Sequence, residues 1–377
     1  MISRMLMFVL KCLFLSFVGA FISASVVQGS NSCEYPAIFN FGDSNSDTGA
    51  ISAAFTVVHS PNGQNFLGSL SGRACDGRLI IDFITEELKL PYLSAHLNSV
   101  GSNYRHGANF ATGGSSILPG GYSPFHLGLQ ISQFIQFKSR THILFNQHSV
   151  NNRTKLSFKS IPKPDDFSRA LYTFDIGQND LAYGFQHTSE EQVRGSIPNI
   201  LRQFSQAVQQ LYNEGARVFW IHNTGPIGCL PFNFLSYESK QGNLDANGCV
   251  KPQNEIAQEF NRQLKDQMVQ LRRKLPLAKF TYIDVYKAKY QLVSNARKLG
   301  FVDPLKFCCG SYHGYKITCG MKSTENETVY GNACKNPSQL VSWDGIHYSQ
   351  AANLLIAKQI LSGVFSDPPV AIGQVCF

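Results

Sequence analysis

Residues 37–49 read Ala37-Ile38-Phe39-Asn40-Phe41-Gly42-Asp43-Ser44-Asn45-Ser46-Asp47-Thr48-Gly49. A short apolar run breaks into a turn built from Gly, Asp, Ser and Asn, the residues that favour tight reversals. The same grammar recurs downstream. Ala170–Ile176 runs into Gly177-Gln178-Asn179-Asp180, and Arg217–His222 into Asn223-Thr224-Gly225-Pro226. Phe280–Val285 is a fourth such run, and Asn109–Ala111 a shorter fifth. Between them, Ile256, Phe260, Leu264, Met268 and Leu271 recur at helical spacing beside Glu, Gln, Lys and Arg, one apolar stripe on a helix. Leu79–Leu88, Gln192–Leu211 and Ser349–Leu361 are further helix candidates. Strands alternating with helices predict a parallel sheet covered on both faces. In such sheets ligands bind outside the carboxyl ends of the strands, where the polar turns fall.

Outside this frame, residues 139–165 lack periodicity, and residues 301–340 hold Gly, Cys and Asn without a helical stripe. Both read as long surface insertions. Residues 1–29 read as an export signal: Arg4 and Lys11 precede an apolar stretch from Cys12 to Val27, and Val27-Gln28-Gly29 offers small residues for cleavage. A membrane anchor is the competing reading, but Ser16, Ser23 and Ser25 interrupt a stretch short of the roughly 20 residues that span a bilayer. About 348 residues then remain as a single domain, residues 30–377.

The chain is 43 % hydrophobic and 15 % charged, with a net charge of +8 that becomes about +6 once Arg4 and Lys11 are removed. The basic residues are scattered rather than gathered into the dense runs of a nucleic-acid surface, so no nucleic-acid partner is expected. Ten cysteines become nine without Cys12, and an exported chain would pair them, leaving one thiol over. Cys308, Cys309, Cys319 and Cys334 crowd one loop-like region. Disulfides are favoured there over zinc, which usually wants a paired Cys-x-x-Cys. Cys75 either pairs or is the remaining thiol. Asn152-Arg153-Thr154 and Asn326-Glu327-Thr328 are glycosylation sequons.

Nucleophilic cleavage of an ester needs an exposed serine, a histidine to take its proton, a carboxylate to hold the histidine, and donors for the oxyanion. Ser44 follows an apolar strand directly. Far along the chain, Asp344-Gly345-Ile346-His347 sets a carboxylate three residues before an imidazole. Gly42-Asp43-Ser44 alone is also compatible with an ordinary turn, and Asp344-Gly345-Ile346-His347 alone with a cap or with metal ligation, though no other His/Asp/Glu cluster completes a metal site; Asp43 and Asp47 read as turn-bonding residues and Asp180 as structural. In combination they are distinctive. Gly42-Asp43-Ser44 with Asp47 and Gly49, Gly107-Ala108-Asn109-Phe110-Ala111 with Gly113-Gly114-Ser115, Gly177-Gln178-Asn179-Asp180, and Asp344-Gly345-Ile346-His347 occur in this order.

In these four blocks, spread over nearly the whole mature chain, the protein resembles the GDSL esterases and lipases, also called SGNH hydrolases. Cys308-Cys309-Gly310 and Asp76-Gly77-Arg78 look like the plant branch, with its early-nodulin-like and acetylesterase-like members. The resemblance implies a three-layer α/β/α, flavodoxin-like fold and a serine esterase that needs no cofactor. It implies Ser44 as nucleophile, His347 as general base and Asp344 as its orienting carboxylate. The Ser44 and Gly107 backbone N–H groups and the Asn179 side chain would form the oxyanion hole. The partner would be a small-molecule or polysaccharide ester, with short acyl groups such as acetyl ahead of long-chain lipids, and the compartment extracellular, cell wall or vacuole. A fucosidase-like glycosidase and a catalytically idle defence or storage protein are the rival readings.

Overall fold

Five of the apolar runs form the parallel part of one sheet: β1 Ile38–Gly42, β2 Gly107–Asn109, β3 Leu171–Asp175, β4 Val218–His222 and β5 Lys279–Ile283. The order is β2-β1-β3-β4-β5, with the two-residue β6 Ser366–Asp367 antiparallel at the far edge. This computed structural model describes residues 33–66, 72–150, 159–236, 242–311, 317–323 and 329–376. The export signal and both sequons expected from the sequence lie outside them.

Every residue of β1, β3 and β4 is buried, as a sheet covered on both faces requires. Alternation along the strands feeds two cores. Phe39, Phe41, Tyr172, Phe174, Phe219 and Ile221 meet one helical layer: α2 Leu127–Val150, α4 Glu190–Asn213 and α5 Lys251–Lys274. Ile38, Leu171, Val218 and Trp220 meet the other, formed by α1 Ile80–Glu87, α6 Val285–Ser294 and α7 Gln350–Leu361. The helix α3 Gln178–His187 follows β3 directly. The predicted three-layer α/β/α, flavodoxin-like arrangement is the fold observed, and its strand order reverses between β1 and β3.

Helices begin where the sequence supplies caps. Ser189 accepts from the Gln192 N–H while Gln192 reaches back to Ser189, a capping box at the start of α4. Ser349 caps α7 through the Ala352 N–H. One expectation is corrected. Residues 139–150 are no surface insertion but the second half of α2, a helix that began at Leu127. Its aromatic face, Phe134 and Phe137, packs on Phe39 and Phe110. Beyond Thr141 the helix leaves the core, so Ile143 and Leu144 are exposed and no stripe survives to be read. Among the described residues no helix is long and apolar enough to cross a membrane.

Four disulfides form, Cys33–Cys376, Cys229–Cys249, Cys308–Cys334 and Cys309–Cys319, and Cys75 is the buried free thiol. The last two staple the described parts of residues 301–340, which contain no α-helix. Phe134 is fully buried at the centre of the aromatic layer, against Phe39, Phe41, Phe110, Phe167 and Tyr172. Phe134→Ala is therefore expected to cost about 3–5 kcal/mol, read as a lower urea midpoint at unchanged slope.

Candidate active site

Ser44 sits just past the carboxyl end of β1, at the point where the strand order reverses. Two features fix the turn. A Cβ on Gly42 would lie 2.6 Å from the Asp175 carbonyl and 2.5 Å from the Ser46 hydroxyl, so the close approach of β1 to β3 admits glycine alone. The Gln130 side chain, from α2, brackets the same residue, accepting from the Gly42 N–H at 3.0 Å and donating to its carbonyl at 2.8 Å. Beneath the turn, Asn40 donates to the Asn109 and Ser46 side chains and accepts from Thr173. That network explains a buried asparagine in an apolar strand.

The aspartates of the turn act as expected from the sequence. Asp47 accepts from the backbone N–H groups of Gly49, Ala50, Ile51 and Gly113, tying the turn to the segment that follows β2. Asp43 accepts from the Asn45 N–H and side-chain amide. Asp180 accepts from the Ile117 and Leu118 N–H groups. Burial pushes the carboxyls of Asp47 and Asp180 up, Asp180 to about 7. Burial raises Asp43 as well, reinforced by the charge of Asp175.

Opposite Ser44 stands the loop before α7. The Asp344 Oδ1 atom accepts from the backbone N–H groups of Ile346 at 3.0 Å and His347 at 2.7 Å. Its Oδ2 atom accepts from His347 Nδ1 at 2.6 Å. A carboxylate only accepts, so the hydrogen on a neutral imidazole belongs to Nδ1, and Nε2 is left to accept the Ser44 hydroxyl 2.8 Å away. The loop has its own anchor. Trp343, fully buried, donates through Nε1 to Asn62 at 2.8 Å, and its carbonyl accepts from the N–H groups of Cys308 and Cys309. The stapled region thus holds the residue next to Asp344.

Electrostatics follow from this geometry. Burial pushes the Asp344 carboxyl up, but the His347 charge and the hydrogen bonds from His347 and Ile346 outweigh it, and the group sits below its ordinary range. Burial alone would lower His347; Asp344 overrides it and raises the imidazole above its ordinary value. Deeper under Ser44, burial works against the Asp175 carboxylate, yet His222 at 3.4 Å and Lys289 hold it down.

Two predicted oxyanion residues fare differently. Asn179, at the start of α3, lines the same cavity as Ser44 and spends one amide hydrogen on the Ser115 carbonyl at 2.9 Å. Gly107 does not join them. It pairs with Ile38, at the opposite end of β1 from Ser44, and its N–H donates to the Tyr104 carbonyl at 3.0 Å. Its φ of +107° and a Cβ position that would collide with the Ile38 carbonyl give this glycine a structural reason instead. The chain next to Ser44 is the later half of that block. The Thr112 N–H bonds the Gly42 carbonyl, the Gly113 N–H bonds Asp47, and the Ser115 carbonyl meets Asn179. Between them, the Gly114 N–H has no partner among the described residues. The doubled glycine was the signal for it in the sequence.

The cavity at Ser44 measures about 60 Å³, and Ile227, Leu230 and Ile346 supply much of its apolar wall. Lys289, Thr224 and Tyr348 also line it; Thr224 belongs to the polar turn after β4, and nothing in the sequence marked the other two. Larger grooves of about 410 and 490 Å³ lie elsewhere and contain neither Ser44 nor His347. The arrangement can deprotonate a hydroxyl, hold the resulting imidazolium, and admit a small group beside it.

The sequence pattern described as GDSL-like Lipase/Acylhydrolase matches residues 38–360. Two GDSL esterase/lipases of Arabidopsis thaliana are 51 % and 54 % identical to this chain, the first over 95 % of it and 93 % of the relative, the second over 92 % of each. A protein of the same plant named alpha-L-fucosidase 3 is 48 % identical over 91 % of this chain and 94 % of its own.

The Asp344–His347 pair makes a titration prediction. Because Asp344 raises His347, its ring should titrate above the ordinary histidine value of 6.5. Asp344→Asn leaves burial as the dominant influence and should move the midpoint below it. Imidazole chemical shifts in ring-labelled protein follow both midpoints.

Proposed function

This chain belongs to the GDSL-like lipase/acylhydrolase family and is a carboxylic ester hydrolase, and we propose that it works through Ser44, His347 and Asp344 on esters of short acyl groups. The observation that carries the reading is the unbroken line of hydrogen bonds from Ser44 Oγ to Asp344 Oδ2 at the mouth of a small cavity.

In this mechanism His347 Nε2 takes the Ser44 proton as Oγ attacks the ester carbonyl carbon. The negative charge that develops on the carbonyl oxygen meets the Ser44 N–H, the second amide hydrogen of Asn179 and the Gly114 N–H, which replaces Gly107 in this role. Collapse of the tetrahedral species breaks the acyl–oxygen bond, and His347 returns the proton to the departing alcohol. Water, deprotonated by His347, then releases the acid and regenerates Ser44. The acid limb of activity should follow His347: protonation removes the base, so turnover falls as pH drops through its raised midpoint.

Export to an oxidising compartment fits the four disulfides, the amino-terminal apolar stretch and the two sequons. The fucosidase name of one relative raises the glycosidase reading, which wants two carboxyl groups flanking the scissile bond. Asp43 and Asp175, the carboxyls beneath Ser44, are fully buried, and neither lines the cavity. That favours the esterase. An idle scaffold has no use for a base bonded to the serine hydroxyl.

The test is hydrolysis of p-nitrophenyl acetate, butyrate and palmitate. Rates should fall in that order and vanish in Ser44→Ala, while Asn179→Ala should lose about 10²–10³ in turnover. Equal rates in wild type and Ser44→Ala would overturn the assignment.

A further inference from the structure

The wall of the Ser44 cavity contains a cation. Val285, Lys289, Leu292 and Val293 share the buried face of α6, so a lysine occupies a position where the helix otherwise turns apolar residues inward. Lys289 is 4 % exposed, and its ammonium lies 4.9 Å from the centroid of the Tyr348 ring, which also lines the cavity. Among the described residues it makes no hydrogen bond and no ion pair. Asp175, the carboxylate whose charge it feels, is turned instead to His222 at 3.4 Å and to the Gln178 amide at 3.1 Å. A second donor shares the wall: the Thr224 hydroxyl, fully buried, has no partner among the described residues.

The ammonium packs against Gly225, the residue after Thr224, and a desolvated ammonium and an unpaired hydroxyl on one cavity wall leave two hydrogen-bond donors without an acceptor, which is costly unless a ligand supplies one. A carboxylate accepts from both at once. We propose that Lys289 and Thr224 bind a terminal carboxylate on the acyl group, making half-esters of short dicarboxylic acids the preferred substrates. This rests on the esterase reading of Ser44 and narrows its substrate class. The cavity at Ser44 is small, about 60 Å³, which limits the acyl group to a short one such as malonyl or succinyl. Attack by Ser44 breaks the acyl–oxygen bond of the half-ester, and water completes the release of a dicarboxylate and an alcohol.

The experiment compares monoethyl malonate with ethyl propionate and monoethyl succinate with ethyl butyrate, by acid release in wild type and in Lys289→Met. Within each pair the acyl chain length is the same and the terminal charge differs. In wild type kcat/KM should favour at least one half-ester by about tenfold, and that preference should weaken with added salt. In Lys289→Met the ratio should reverse, since a carboxylate would enter an apolar wall. A wild-type ratio at or below one for both pairs would overturn the proposal, whether or not the variant folds, and so would an unchanged ratio in folded Lys289→Met. Hydrolysis of the neutral esters separates the two claims: if they are cleaved without a preference for charge, the acyl-carboxylate site falls and the esterase stands. If no ester is cleaved, both fall.

Discussion

A serine hydroxyl is a weak nucleophile until something close takes its proton, and the partner proposed for that here comes from 303 residues further along the chain. The 2.8 Å contact between Ser44 and His347 is the constraint the rest of the architecture serves. Both groups ride on loops, which are the least rigid parts of most folds. Each loop is therefore tied down more than once. Gly42 is clamped by Gln130, Asp47 gathers four backbone N–H groups, and Asp344 fixes the backbone of His347 as well as its ring. The two disulfides around Cys308 and Cys309 gain a mechanical sense in this light. They build the pocket for Trp343, whose backbone leads into Asp344.

The same region concentrates titratable groups. Asp43, Asp175, His222, Lys289, Asp344 and His347 all lie near the carboxyl ends of the strands, where polar side chains gather at the rim of an otherwise apolar sheet. Their environments push neighbouring carboxyls apart. Asp344 and Asp175 are held low by histidines, while burial and the charge of Asp175 push Asp43 up. Sites that separate like groups in this way are typical of catalysis. Here the separation keeps negative charge on Asp344, the carboxylate proposed to orient the base.

Much of this was legible in the sequence, for physical reasons. Runs such as Phe39–Phe41 and Tyr172–Phe174 are too apolar to sit anywhere but a doubly covered sheet, and the polar turns after them mark the ligand-binding edge. The four motif blocks located Ser44, Asn179, Asp344 and His347. What failed to read depends on long-range register. Gly107 and Gly114 belong to one glycine-rich block, and only the pairing of β2 with β1 reveals that Gly107 lies at the far end of β1 from Ser44. The second half of α2 was invisible because a helix that leaves the core keeps no apolar stripe. Lys289 sits at a core-facing helix position four residues after Val285, and a sequence shows such a lysine as merely one more surface charge.

The most direct test is a crystal structure of the protein after reaction with a p-nitrophenyl phosphonate. The account predicts phosphorus bonded to Ser44 Oγ, with the phosphoryl oxygen against the Ser44 and Gly114 N–H groups and the Asn179 amide, and His347 Nε2 facing the position of the departed group. An adduct on another residue, or a Ser44 adduct whose phosphoryl oxygen turns away from all three donors, would contradict it.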